Sequence, residues 1–198
     1  AYWVAESAAV TESQAAFDQV QMSPKTVGSY SDISRKLLLQ SSIDIEGFVR
    51  NDLAMRLAMA IDLAAIAGTG SSNQPTGILA TTGIGAKTFA AIGNPTFGEM
   101  VDVESQVSVD NALFGSLAYV STAAMAGAMK QKAKDSGSGQ FVMANNQVNG
   151  YNMAVTNQMT ANTVVFGNFA DLIIGMWGGL DINVDTSTGS SSGTVRVV

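Results

Sequence analysis

Residues 44–79 read DIEGFVRNDLAMRLAMAIDLAAIAGTGSSNQPTGIL and join the longest helical pattern of the chain to a glycine-rich loop. Asp44 and Glu46 suit the first turn of a helix, because carboxylates there face the positive end of the helix dipole. Ser41 or Ser42 is placed to cap this helix, and Gly68 to end it. The pattern predicts a helix of about 23 residues, roughly 35 Å long. Its apolar residues keep helical spacing, and beyond Leu53 they lie on nearly all sides of the helix. The spaced residues are Ile45, Phe48, Val49, Leu53, Leu57, Ile61 and Ala64.

The loop GTGSSNQPTG raises the question of phosphate binding. A phosphate loop of the GxxxxGK[ST] kind follows a strand and ends in Lys, but Gly77 is followed by Ile78, and no Lys occurs before Lys87. A dinucleotide fingerprint would require a third glycine where Asn73 stands. The loop also follows a predicted helix. The phosphate interpretation therefore fails, and the loop needs another explanation.

Composition favours a protein whose surface is covered by other subunits. Only 13% of the 198 residues are charged, against about 25% in ordinary globular domains, although abundant Ala, Gly, Ser and Thr would give the same numbers. The net charge of −6 argues against a nucleic-acid-binding module, which would need a basic stripe.

The residue types needed for common catalytic and metal sites are scarce. The chain has no Cys and no His, so it offers no thiolate nucleophile, no His-based triad and no zinc site of the usual ligand types. The 16 acidic residues are scattered. We therefore predict no enzyme activity, no catalytic or metal-binding residues and no cofactor. No membrane span is predicted either, because Arg56 and Asp62 interrupt the most apolar run.

The remaining segments predict an α+β fold, because helices and strands are segregated. Residues 1–27 are predicted to be extended, as a two-stranded excursion that needs a partner, since an isolated hairpin is marginally stable. Thr96 and Glu99 match a capping box, and Ser121 or Thr122 is placed to cap a helix over residues 123–134. Trp177 is predicted to be buried, because LIIGMWGG is apolar throughout. Strands are predicted at SLAYVST (116–122), YNMAVTN (151–157), NTVVFGNF (162–169), LDINVDT (180–186) and TVRVV (194–198).

The order of these segments resembles the major capsid proteins of tailed bacteriophages, with the Hong Kong ninety-seven type shell fold. The resemblance runs over essentially the whole chain, and GTGSSNQPTGIL directly after a long helix is its most specific part. Further matching text is WVAESAAVTESQAAFDQVQMSPKTVGSYSDISRKLLLQSSIDIEGFV, NALFGSLAYVSTAAMAGAMKQKAKDSGSGQFV and FGNFADLIIGMWGGLDINVD. The chain starts partway into the family's length, opens without Met and is expected to be truncated at both ends.

The resemblance implies a division of the chain. Residues 1–30 would form the E-loop hairpin that reaches over a neighbouring subunit, and residues 31–75 a P-domain built on the long spine helix. Residues 76–170 would form the A-domain around the five- and six-fold axes, and residues 171–198 the strands that return towards the P-domain. The glycine-rich loop would then connect the spine helix to the A-domain, where Gly and Pro serve turns.

The implied function is that of a structural subunit of an icosahedral phage or prophage capsid. It would be made in the bacterial host cytoplasm, assemble with copies of itself into pentamers and hexamers, and enclose viral DNA without binding it specifically. Scaffolding, portal and cementing proteins would be further partners, and no membrane is implied. An encapsulin-like nanocompartment shell, which has the same fold, is the alternative.

Subunit contacts replace an active site in this interpretation. The E-loop candidates are Trp3, Phe17 and the tip, which comprises Val10, Thr11, Glu12 and Ser13. Basic candidates for salt bridges to neighbours, which would otherwise line a solvated helix face, are Arg35, Lys36, Arg50 and Arg56.

Some members of the family join neighbours through a Lys–Asn isopeptide bond assisted by a Glu. Here Val10 falls near the position of the Lys and Thr194 near that of the Asn, and the Glu would lie beyond Val198. The resemblance therefore predicts no such cross-link.

Overall fold

The computed structural model describes residues 3–9, 14, 19–40, 44–137 and 139–198. The described part of the chain contains four α-helices, seven short strands and three single 3₁₀ turns, and so confirms a mixed helix and sheet fold. In chain order the helices and strands are β1 (Ser31–Ser34), α1 (Arg35–Gln40), α2 (Ile45–Ala67), α3 (Phe97–Val109), β2 (Leu117–Ser121), α4 (Ala123–Gln131), β3 (Gln147–Val148), β4 (Tyr151–Val155), β5 (Val164–Asn168), β6 (Val184–Asp185) and β7 (Thr194–Val197).

The strands form two sheets. One has the order β1-β7-β6 with antiparallel pairing, so that it joins residues near both ends of the chain. The other has the order β3-β4-β2-β5, in which β2 and β4 are parallel and connected through α4, while β5 runs antiparallel to β2. Asn149 and Gly150 form the two-residue turn between β3 and β4, and both have the positive φ angles that this turn requires.

Two separate hydrophobic clusters hold the sheets. The larger packs the four-stranded sheet against α3 and α4, and five of its ten buried residues are methionines, which fill irregular gaps well. Tyr119 is fully buried in this cluster and donates its hydroxyl hydrogen to the carbonyl oxygen of Met100 at 3.0 Å. The smaller cluster has only three buried residues, one each from β1, α2 and β7: Ile33, Leu53 and Val197.

The long helix α2 has the predicted 23 residues, but its cap differs from the prediction. The carboxylate of Asp44 accepts a hydrogen bond from the backbone N–H of Gly47, so Asp44 is the N-cap and only Glu46 lies in the first turn. Ser41 and Ser42 lie outside the described residues. Gly68 ends the helix as predicted, and its own N–H donates to the carbonyl of Ala64.

Helix α3 has the predicted capping box between Thr96 and Glu99. Helix α4 is capped by Thr122 but ends at Gln131, three residues earlier than predicted. The reason is a competing pairing, in which Lys132 accepts from the N–H of Val142 and Lys134 donates its N–H to Gln140.

The prediction of an extended start is only partly tested. Residues 3–9 and 19–30 contain no strand in the described part of the chain, and most of them are exposed. Of the predicted strand LDINVDT only Val184 and Asp185 form β6, and Asn183 extends the pairing with β7 by two backbone hydrogen bonds to Val198.

Candidate functional site: exposed apolar surfaces

Helix α2 leaves most of its apolar surface in solvent. Leu53 is its only buried residue, since the cluster beneath it is small. A second stripe of large side chains lies exposed along the helix, with spacings of seven, four and four residues: Phe48, Met55, Met59 and Leu63. A helix that is apolar on nearly all sides is normally covered on nearly all sides. The exposed stripe is therefore a candidate contact surface.

Two of the predicted salt-bridge candidates are paired within α2. Arg50 bonds to Glu46 at 2.6 Å and Arg56 to Asp52 at 2.8 Å, both four residues apart on exposed surface. Such pairs contribute about 0.3–0.5 kcal/mol each. The two charges of each pair cancel, so neither pair adds net charge to the surface of α2.

The other basic candidates lie at the start of α1. The guanidinium of Arg35 donates to the carbonyl oxygen of Thr186 at 2.8 Å, and its backbone N–H donates to Gly193. Arg35 thus fastens α1 to the loop between β6 and β7, while Lys36 lies exposed beside it. The structure does not bring these residues together with Arg50 and Arg56 in a shared ion-pair network within the described residues.

The E-loop candidates are only partly visible. Trp3 is fully exposed. Val10, Thr11, Glu12, Ser13 and Phe17 lie outside the described residues.

Residues 172–180, with the sequence LIIGMWGGL, form a second exposed apolar surface, which we call the 172–180 segment. The prediction that Trp177 is buried is wrong, because 59% of this side chain is exposed. The segment forms no strand or helix, and none of its residues belongs to either hydrophobic cluster, so much of its apolar surface is in solvent. The sequence offered one overlooked signal: an apolar run with neither helical nor strand periodicity and with three glycines is poorly suited to a core element.

The two ends of the glycine-rich loop, residues 68–77, are joined by backbone hydrogen bonds. Gly70 donates its N–H to Pro75 at 3.1 Å and Gly77 donates its N–H to Gly68 at 2.8 Å, while Thr69 and Thr76 form a bridge. The N–H groups of Gly70 and Gly77, which a phosphate would need, are therefore bonded to the chain itself. This geometry agrees with the rejection of a phosphate loop.

A charged cluster ties the three-stranded sheet together. Arg196 on β7 makes two hydrogen bonds to Asp32 on β1, at 2.7 and 2.8 Å. These bonds lower the pKa of the Asp32 carboxyl below its usual value. Asp185 on β6 accepts hydrogen bonds from the backbone and hydroxyl groups of Ser187 and Thr188, and these bonds strongly lower its pKa.

A polar contact that the sequence did not predict joins α3 to the β3–β4 hairpin. Glu104 accepts hydrogen bonds from the side-chain amide of Asn149 and from the hydroxyl of Tyr151. Burial, followed by the nearby Glu104, raises the pKa of Tyr151. Glu104 lies 45 residues from Asn149 and 47 from Tyr151, so no local pattern could have revealed the contact.

The described residues contain no group of three or more His, Cys, Asp and Glu that could hold a metal ion. None of the described helices is both long and apolar enough to cross a bilayer.

The total surface is large for the mass. The chain exposes 13,727 Å², whereas a compact monomer of 20.5 kDa is expected to expose about 8,900 Å². The excess matches the thin core and the exposed stripe and segment. Such a shape suits a subunit that completes its burial against neighbours.

The family profile of the phage capsid family matches residues 1–198, which is the whole chain. The chain belongs to the phage capsid family. The exposed apolar surfaces described above therefore belong to a member of the phage capsid family.

A related major capsid protein agrees with the match of this phage capsid family member. The chain is 37% identical over 193 residues to the major capsid protein of Halomonas phage phiHAP-1, covering 96% of this chain and 31% of that protein. The chain thus spans less than a third of the length of that relative.

Solved capsid structures have a similar fold. The capsid of a native GTA particle matches with a TM-score of 0.64 at 21% identity, over 85% of this chain and 64% of that one. The capsid of an empty GTA particle matches with a TM-score of 0.59 at 24% identity, over 85% and 63%. At these identities the matches show the fold.

Proposed function

We propose that the protein is a structural subunit of an icosahedral phage or prophage capsid. The observation that carries this proposal is the match of the whole chain to the phage capsid family. Its place would be the virion, after synthesis in the host cytoplasm. The comparisons name phage and GTA capsids, and no observation favours the encapsulin alternative.

The division implied by the resemblance is part of the proposal. Residues 1–30 act as the E-loop and residues 31–75 as a P-domain around α2. Residues 76–170 form the A-domain, and residues 171–198 return towards the P-domain. Two features support this division: the smaller cluster joins α2 to β1 and β7, and the larger cluster lies wholly within residues 76–170.

Copies of the chain are the principal partner, with scaffolding, portal and cementing proteins as further ones. The E-loop candidates and the four basic residues remain proposed contacts. Arg50 and Arg56 would have to give up their partners within α2 to form salt bridges with a neighbour. Arg35 and Lys36 are therefore the simpler candidates for such salt bridges. We also propose that no isopeptide bond joins neighbours, since Val10 and Thr194 supply neither a Lys nor an Asn.

The experiment that tests the function is electron microscopy of the full-length protein, expressed with its natural flanking regions and any scaffold. Closed shells or icosahedral fragments are expected, and their diameter separates a phage head from a small compartment. Subunits that stay small at all salt concentrations, with scaffold present, would contradict a shell function. A ladder of covalent multimers on a denaturing gel of the shells would contradict the absence of cross-links.

A further inference from the structure

The 172–180 segment is the most apolar exposed stretch of the described chain. Between Asp171 and Asp181 no side chain is charged or polar. Six large side chains are exposed there, with Ile173 at 74%: Leu172, Ile173, Ile174, Met176, Trp177 and Leu180. Contiguous apolar surface of this kind marks an interaction site on a soluble protein.

The backbone of the segment is unpaired as well. From Ile173 to Ile182 no N–H or C=O group bonds to another described residue, and pairing resumes at Asn183. Backbone groups need partners when water is excluded. A protein chain that covers the segment can supply both apolar side chains and backbone hydrogen bonds, which makes it a better occupant than a purely apolar ligand.

The segment makes one notable contact within the chain. The methyl group of Met22 lies near Gly175, beside the indole of Trp177. Met22 belongs to the extended stretch 19–30, in which Val20, Val27 and Tyr30 are also exposed. Met22 therefore adds one apolar side chain of this stretch to the surface of the segment.

The area fits a protein interface. At roughly 200 Å² for a large apolar side chain, the six side chains expose on the order of 700 Å². A standard interface buries about 800 Å² on each partner. A central exposed Trp is also the residue type most often found at the energetic centre of interfaces.

We propose that the 172–180 segment, centred on Trp177 and Ile173, is covered by a second copy of this chain in the assembled particle. The inference rests on the proposed shell function and adds the surface through which copies meet. An uncharged surface suits copies that each carry a net charge of −6, since it brings no like charges together.

The test uses the full-length protein and exploits the absence of Cys from these 198 residues. Ile173→Cys is treated with a maleimide in isolated subunits and in assembled shells, and modification is located by peptide mapping. Modification is expected to be at least tenfold slower in shells than in subunits. Ile92→Cys, at a position that is 83% exposed and outside the segment, gives the rate of an open site in the isolated subunit.

A second variant tests the consequence. Ile173→Ser combined with Trp177→Ser is expected to leave the melting temperature of the subunit unchanged and to reduce shell yield at least tenfold. Ile92→Ser is the control for loss of an exposed apolar side chain. Equal modification in shells and subunits, or wild-type shell yield from the double variant, would overturn the inference.

Failure of the inference and failure of the proposed function give different results. Slow modification already in the isolated subunit would mean that the rest of the full-length chain covers the segment, which also overturns the inference. Wild-type protein that makes no shells would contradict the proposed function itself. Wild-type shells with an unprotected segment would contradict only the present inference.

Discussion

At the scale of single residues, the glycine-rich loop depends on Gly77, because the end of α2 passes unusually close to this residue. A Cβ atom at Gly77 would lie 2.5 Å from the backbone nitrogen of Gly68 and 2.7 Å from the carbonyl oxygen of Ala64. Real Cβ atoms do not approach backbone so closely, and the backbone of a capped helix end cannot move aside easily. Close approach, rather than a left-handed conformation, explains this glycine.

Gly77→Ala is expected to destabilise the subunit by about 1–3 kcal/mol, as overpacking does. The matched control is Gly127→Ala in the interior of α4, where a Cβ meets no atom within 4 Å. That change is expected to stabilise by about 0.5–1 kcal/mol, because alanine loses less backbone entropy. Urea denaturation of both variants measures the difference. Equal effects would contradict the close approach.

Acid should weaken the three-stranded sheet. The pKa values of Asp32 and Asp185 are lowered from their ordinary value of 3.8 in the folded chain. A carboxylate with a lowered pKa stabilises the folded state fully above its unfolded pKa, and this contribution is lost as the pH falls through the folded pKa. The melting temperature is therefore expected to fall below about pH 4 and to be insensitive to these groups from pH 5 to 8.

The variant Asp185→Asn tests the source of this acid sensitivity. Its melting temperature is expected to fall less steeply below pH 4, because the group that gains a proton is gone. Asp62→Asn, at an exposed position on α2, is the control and should keep the wild-type slope. An unchanged slope in Asp185→Asn would show that the hydrogen bonds to Ser187 and Thr188 do not stabilise the charged form.

At the scale of elements, α2 has two apolar faces with different roles. Leu53 faces the small cluster and is buried, whereas Phe48 lies on the exposed stripe with 67% of its side chain in solvent. The buried face stabilises the subunit itself. The exposed face contributes only when another surface covers it.

Substitutions on the two faces should separate folding from assembly. Leu53→Ala is expected to destabilise the subunit by about 2–5 kcal/mol, through lost burial and a residual cavity. Phe48→Ser is expected to change subunit stability by less than about 0.5 kcal/mol and to reduce shell yield. Urea denaturation and electron microscopy measure the two effects. Loss of subunit stability in Phe48→Ser would mean that its exposed face already packs within the full-length chain.

At the scale of the whole molecule, a thin core and a large surface point to stability that is shared with neighbours. Contacts between copies would be mainly apolar, on the stripe of α2 and the 172–180 segment. Each copy carries a net charge of −6, so long-range repulsion opposes assembly at low salt.

Salt should therefore favour assembly or leave it unchanged. The screening length falls from about 10 Å at 0.1 M to about 3 Å at 1 M salt, which removes repulsion without weakening apolar contacts. Light scattering at the two concentrations measures shell yield, and the melting temperature of isolated subunits controls for effects on folding. A marked loss of shells at 1 M NaCl would instead favour salt bridges between subunits through Arg35, Lys36, Arg50 or Arg56.

Features that depend on neighbouring residues were predictable from the residue order alone. Helical spacing and an end signal predicted the 23 residues of α2, and the Thr96 and Glu99 pair predicted the start of α3. Short segments between glycine and asparagine turns predicted the main strands. The lack of His and Cys in these 198 residues leaves them without an imidazole or a thiolate. The order of segments indicated the phage capsid family.

Which apolar residues are buried depends on three-dimensional packing and not on local sequence. Trp177 and Leu53 both lie in apolar surroundings in the sequence, yet one is exposed and the other buried. The physical reason is that burial depends on what lies opposite, and partners such as Asp32 and Arg196 are 164 residues apart. A subunit that finishes its core against neighbours has apolar patterns which, in the chain alone, do not distinguish core from contact surface.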